Sequence, residues 1–161
     1  MKRIGLDTGI YIASVKKKGE KFHDDIKKIL KKISFKQYTF ISSALILIEI
    51  PGGLCASTSM PIQKIYETEK ALEENFKMKI FSFDPYIIKA KELMFEFREL
   101  KRKFNIESAD FHHLATVIQE NCPIFLTIDE HHLLKDEFKL KMGKYIDILN
   151  PTDFLRTLNN P

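Results

Sequence analysis

The sequence predicts an α/β fold whose mostly parallel sheet is covered by helices on both faces. Short β-branched or aromatic runs alternate with segments of three- and four-residue apolar spacing, the pattern of strand–helix–strand crossovers. The run Pro123 to Ile128 is also nearly continuous in apolar residues, as a strand buried on both faces requires. At 161 residues and 44% hydrophobic content, the chain can bury a sizeable core, and residues 1–161 read as a single domain.

The first strand comes at once. Ile4, Gly5 and Leu6 deliver Asp7 to a strand's carboxyl end, and the chain then turns through Thr8 and Gly9. Ile10 to Val15 begins a helix that breaks in the polar run Lys16 to Glu20. Helical spacing resumes from Phe22 to Ile33, with Phe22, Ile26, Ile29 and Leu30 on one face and Lys27, Lys28, Lys31 and Lys32 opposite. Tyr38 to Ile41 reads as strand two. Ser42 or Ser43 can cap a helix over Ala44 to Ile50, which Pro51-Gly52-Gly53 should stop.

Pro61 suits the first turn of a helix reaching Phe76. Met78 to Phe83 alternates apolar and polar residues as strand three, and Asp84-Pro85 opens a long helix through Phe104. Ser108 caps the next helix, with Phe111, Leu114, Ala115 and Ile118 facing inward. Strand four, Pro123 to Ile128, leads into a short helix over Asp129 to Phe138. Strand five follows at Tyr145 to Leu149, and a helix over Pro151 to Leu158 closes the chain.

Bulk composition narrows the function classes. A formal net charge of +4 permits a polyanionic partner without requiring one. Two cysteines without C-x-x-C spacing argue against a disulfide scaffold or a structural zinc site, and suit a reducing cytoplasm. No stretch reaches the ~20 apolar residues a membrane span needs, and Asp7 interrupts any signal-like start. The expectation is a soluble, cytoplasmic protein without a membrane partner.

Acids carry the chemistry. In open α/β sheets ligands bind beyond the carboxyl ends of the strands, where the pattern puts Asp7 and, after the buried run PIFLTI, Asp129. Glu49 closes the apolar run ALILI, and Asp110 lies in the first turn of an apolar-faced helix. Singly, each has an ordinary reading as a helix-end or solvent-facing acid. Together, four carboxylates in one crevice would repel one another unless a cation offset the charge. Oxygen donors without Cys or His ligands suit Mg²⁺ or Mn²⁺ better than zinc. The pairs His112-His113 and His131-His132 flank two of the acids, but neighbours on a helix point about 100° apart and converge poorly on one ion.

The succession of a hydrophobic strand with DTGIYI, then SSALILIEI, SADFHHLATVI and FLTIDEHHL resembles the PIN-domain nucleases, and among them the VapC-type toxin ribonucleases. The resemblance covers roughly Arg3 to Leu149. It implies a three-layer α/β/α sandwich around a parallel five-stranded sheet, with strands one and four adjacent at its centre. It implies metal-dependent endoribonuclease chemistry with Mg²⁺ or Mn²⁺, the family's acids falling on Asp7, Glu49, Asp110 and Asp129. Thr127 matches the family's hydroxyl residue before the last acid, with a substrate-binding role. The implied partners are RNA, a small antitoxin protein and a second copy of the chain in a homodimer. The chain departs from the pattern at Ile128, where a polar residue is usual, and in extra length around Ser57 to Phe76.

Other readings have less support. Asp7-Thr8-Gly9 matches the short signature of aspartic proteases, which are all-β, and GLDTG matches the phosphate loop of actin-like kinases, which need two lobes. A non-catalytic PIN-like module binding RNA or protein, or a PIN nuclease of rRNA processing, is the alternative. The lysine clusters Lys16 to Lys18, Lys27 to Lys32 and Lys101 to Lys103 read as solvated helix faces unless one borders the crevice.

Overall fold

The Ile4-Gly5-Leu6 run lies in the middle of the sheet. The computed structural model describes residues 2–16, 21–33 and 38–159. Among them β1 (Lys2–Leu6) is flanked by β2 (Tyr38–Ser43) and β4 (Ile124–Leu126), with β3 (Met78–Phe81) and β5 (Asp147–Leu149) at the edges. The order is β3-β2-β1-β4-β5 and each pairing is parallel, so the expected sheet and the central β1–β4 contact are both present.

Alternation along the strands divides the core in two. Phe40, Leu6 and Leu126 face α1 (Thr8–Val15), α2 (His23–Ile33), α3 (Ile46–Ser57), α4 (Ile62–Phe76) and α9 (Pro151–Asn159). Ile41, Phe125 and Ile148 face the opposite layer, with α5 (Ile87–Glu96), α6 (Arg98–Phe104), α7 (Ser108–Gln119) and α8 (Asp136–Met142). Gly5 lets α7 lie close against β1, because a Cβ there would sit 2.6 Å from Val117 Cγ1.

Several boundaries differ from the sequence expectation, each for a local reason. α1 begins at Thr8, so Thr8 and Gly9 form its first turn while Asp7 remains extended at its N-cap. α3 does not stop at Pro51-Gly52-Gly53 but runs through them to Ser57. Pro51 forfeits one helical hydrogen bond, while Gly53 admits the Ile12 side chain of α1, which a Cβ would overlap. The pair that reads as a stop signal is in part a helix-packing device.

The long helix expected from Asp84 to Phe104 is a 3₁₀ turn (Asp84–Tyr86) followed by α5 and α6, broken at Phe97. Phe97 leaves helical geometry and is buried, so the break turns its ring inward. Glu107, not Ser108, stands before α7, and Ser108 is its first helical residue. The helix expected over Asp129 to Phe138 is replaced by turns up to α8, because Asp129 Oδ1 accepts hydrogen bonds from the backbone N–H groups of His131 and His132. Such local side-chain bonds compete with helix formation. β3, β4 and β5 are shorter than expected and β2 two residues longer. The polar run over 17–20, expected to break the first helix, lies outside the described residues. No helix of the described residues is long and apolar enough to cross a membrane.

Candidate active site

Topology brings the four acids to one edge of the sheet. Asp7 follows β1, Asp129 follows β4, Glu49 is in the first turn of α3 after β2, and Asp110 is in the first turn of α7. Because α7 leads back to the start of β4, its N-terminus lies at the sheet's carboxyl edge. All four side chains are half-buried.

Hydrogen bonds fix each carboxylate. Thr127, fully buried, donates from Oγ1 to Asp7 Oδ2 at 2.6 Å and accepts the Asp129 N–H at 3.0 Å. Its hydroxyl is thus committed to two carboxylate-bearing loops rather than exposed. Thr8 Oγ1 donates to Glu49 Oε2. Asp110 Oδ2 accepts the Glu107 N–H at 2.8 Å across the start of α7. Asp129, besides its two backbone donors, has His132 Nδ1 2.9 Å from Oδ2.

Two histidines therefore touch the acids, contrary to the expected all-carboxylate environment. His113 is almost fully buried, with Nε2 2.8 Å from Glu49 Oε2 and Nδ1 3.0 Å from Ser43 Oγ. His112 turns away, as helix geometry demands. Its Nε2–H donates to the Phe83 carbonyl at 2.9 Å, and its ring stacks on Phe83 at 4.2 Å. The buried His112 Nδ1 has no hydrogen-bond partner among the described residues. The sequence held a signal for His132, which stands three residues after the acid it touches, but none for the contact of His113, which follows Asp110 by three residues and touches Glu49.

The electrostatics are those of an acidic cluster short of positive charge. Burial pushes Asp7 above the usual carboxylate range, with Glu49 and Asp129 adding to the effect and His113 and Thr127 opposing it. Burial likewise raises Asp110, to about 6, helped by the charges of Asp7 and Asp129. Glu49 goes the other way: burial works against it, but the His113 hydrogen bond and charge and the Thr8 hydroxyl hold it below its ordinary value. His113 is correspondingly raised by Glu49, Asp7 and Asp110 in spite of its burial.

The donor set fits a hard divalent ion, being oxygen-rich and short of compensating charge. The arrangement is not a finished cage, since among the described residues no three Asp, Glu, His or Cys side chains are grouped to hold an ion. Beside the crevice, Gly9, Ile12, Phe22 and Ile128 line a groove of about 460 Å³, with Lys16 and Lys21 at its rim. Lys21 pairs with Glu130, next to Asp129. Lys17 and Lys18 of the first lysine cluster lie outside the described residues. Lys101 and Lys103 of the last are engaged by the Ile106 carbonyl and Glu137.

No curated protein matches the chain in sequence. Solved structures do match in fold. The VapBC2 complex from Rickettsia felis, bound to a DNA fragment from its promoter, has a chain 16% identical with a TM-score of 0.63, covering 92% of this chain and 98% of its own. FitAcB from Neisseria gonorrhoeae matches at 17% identity and TM-score 0.60, over 92% and 98%. A toxin-antitoxin complex from Klebsiella pneumoniae matches at 13% and 0.54, over 92% and 97%. These likenesses are of fold. In sequence, the PIN domain matches residues 4–137, which include all four acids. With most of its length matched, the chain belongs to the PIN-domain family, whose members are nucleases.

Proposed function

We propose that this PIN-domain protein is a metal-dependent endoribonuclease acting as the toxin of a toxin-antitoxin pair. One observation carries the reading: Asp7, Glu49, Asp110 and Asp129, from four separate segments, meet at the carboxyl edge of the sheet, where Thr127 ties Asp7 to the Asp129 loop. A cluster that burial and mutual repulsion both oppose is costly to keep without a cation to receive.

In this reading Asp7 and Asp129 hold Mg²⁺ or Mn²⁺ directly, Asp110 holds it directly or through water, and Glu49 serves as a ligand or orients the attacking water. Bound there, a divalent ion supplies Lewis-acid activation of water and neutralises charge developing on the phosphate. Thr127 keeps Asp7 and the Asp129 loop in register. Lys21, at the rim of the adjoining groove, offers a cation to a phosphate backbone. The toxin assignment is supported by the fold neighbour from Klebsiella pneumoniae, a toxin-antitoxin complex; a small antitoxin laid across the crevice and a homodimer belong to the same proposal.

The test is cleavage of tRNA, rRNA and single-stranded DNA side by side, with Mg²⁺, with Mn²⁺ and with chelator. Metal-dependent cleavage of RNA, abolished in a folded Asp7→Asn protein, is expected; undiminished cleavage by that variant would overturn the reading. The second reading is a non-catalytic module that binds RNA or a partner protein. Failure of Mn²⁺ to bind in calorimetry would select it.

A further inference from the structure

The acids are held by hydroxyls and backbone N–H groups, but Glu49 is also gripped by a side chain reaching from another helix. His113, on α7, is 2% exposed, and Ser43, which contacts its far nitrogen, is 0% exposed at the end of β2. A carboxylate can only accept, so His113 donates from Nε2–H to Glu49 Oε2. Ser43 Oγ accepts the Leu45 N–H at 3.3 Å and lies 3.0 Å from His113 Nδ1, so it pins the far nitrogen of the ring in either protonation state. Thr8 donates to the same Glu49 oxygen. Both side-chain contacts thus fall on Oε2, and among the described residues Oε1 is the oxygen left to face a ligand.

We infer that His113, set by Ser43, is a positioning residue that holds Glu49 with Oε1 presented to the crevice. The inference rests on the nuclease reading only in taking Glu49 as part of the metal site. Asp110 and His113 are three residues apart on one helix, so the element that delivers one acid also delivers the group that orients another. Outer partners of this kind hold a ligand in its productive rotamer, and their loss typically weakens metal affinity about 10- to 100-fold.

The experiment measures Mn²⁺ affinity by calorimetry and by electron paramagnetic resonance on the full chain, with circular dichroism as the folding control. Wild type is compared with His113→Met, which cannot donate, His113→Gln, whose amide can still donate toward Glu49, and Ser43→Ala. His113→Met should weaken Mn²⁺ binding at least about tenfold, His113→Gln should recover most of it, and Ser43→Ala should fall between. In a Glu49→Gln background, His113→Met should cost nothing further, because an amide held in the same way turns its NH₂ and not a ligand oxygen to the crevice. A purely structural histidine would weaken binding equally in both backgrounds, and that result overturns the inference. So does His113→Met binding like wild type, which leaves the metal reading standing. Wild type that binds no Mn²⁺ overturns both, so the two failures are told apart. If His113→Met does not fold, Ser43→Ala with and without Glu49→Gln carries the same comparison.

Discussion

Thr127 Oγ1 donates a 2.6 Å hydrogen bond to Asp7 Oδ2, joining two strand ends 120 residues apart in sequence. The same oxygen accepts the Asp129 N–H, so one fully buried hydroxyl sets two acids at once. Thr127→Val keeps the shape and removes both bonds. It should cost about 1–3 kcal/mol of stability, since it strands a half-buried N–H and a carboxylate oxygen. Urea denaturation checks this. Mn²⁺ affinity should fall in the same variant, because Asp7 loses the donor that favours its charged form.

Stability should depend on pH in a direction set by the acids. Asp110 moves from 3.8 to about 6 on folding, and Asp7 is also raised. The native state therefore binds these protons more tightly than the unfolded chain does. Their stabilising contribution is complete below the unfolded value and is lost as pH rises through the folded one. Without divalent ions, stability should fall between about pH 4 and pH 7, at up to ~1.4 kcal/mol per pH unit for each group. Glu49, held low, has the opposite sign, and its contribution is lost only below its ordinary 4.5. Denaturation across a pH series should show the slope in the chelated protein, a shallower one in Asp110→Asn, and little in saturating Mg²⁺.

The adjacent glycines of α3 should respond differently to the same change. A Cβ on Gly52 meets nothing, whereas one on Gly53 overlaps the Ile12 Cδ1 methyl. Gly52→Ala should gain about 0.5–1 kcal/mol from helix propensity alone. Gly53→Ala has the same propensity gain but must displace Ile12, so it should be less stable than Gly52→Ala by at least about 1 kcal/mol. Thermal melts in an Ile12→Ala background should close the difference.

Lys21 pairs with Glu130 on the surface, so Lys21→Ala should change stability by less than about 0.5 kcal/mol. RNA affinity should nevertheless drop, and its dependence on salt should become less steep by about one charge. Binding measured across a salt series reads both. A slope that stays unchanged would remove Lys21 from the RNA-binding surface.

Strand identity was readable where apolar runs were unambiguous. Ile4 to Leu6 and Phe125-Leu126 needed burial on both sides, which marked both as inner strands; that β1 lies beside β4 followed only from the resemblance, and the pairing brings Asp7 and Asp129 to one edge. Helix ends were less legible, because the deciding partners are remote or local in ways periodicity does not encode. Pro51 and Gly53 look like a stop until Ile12 is placed against them. Asp129 looks like a helix start until its carboxylate captures the His131 and His132 N–H groups. The histidine contacts were missed for a related reason. A three-residue offset from an acid says which face His113 shares, but only the approach of α3 to α7 shows that Glu49 lies within its reach.

The strand order has a consequence in time. The first strand of the chain is completed on one side by β2 and on the other by β4, which ends at residue 126. Until that late strand docks, Asp7 lacks Thr127, and Asp129 has no fixed place. During synthesis the early acids therefore remain an unassembled set until the chain has been made as far as Asp129.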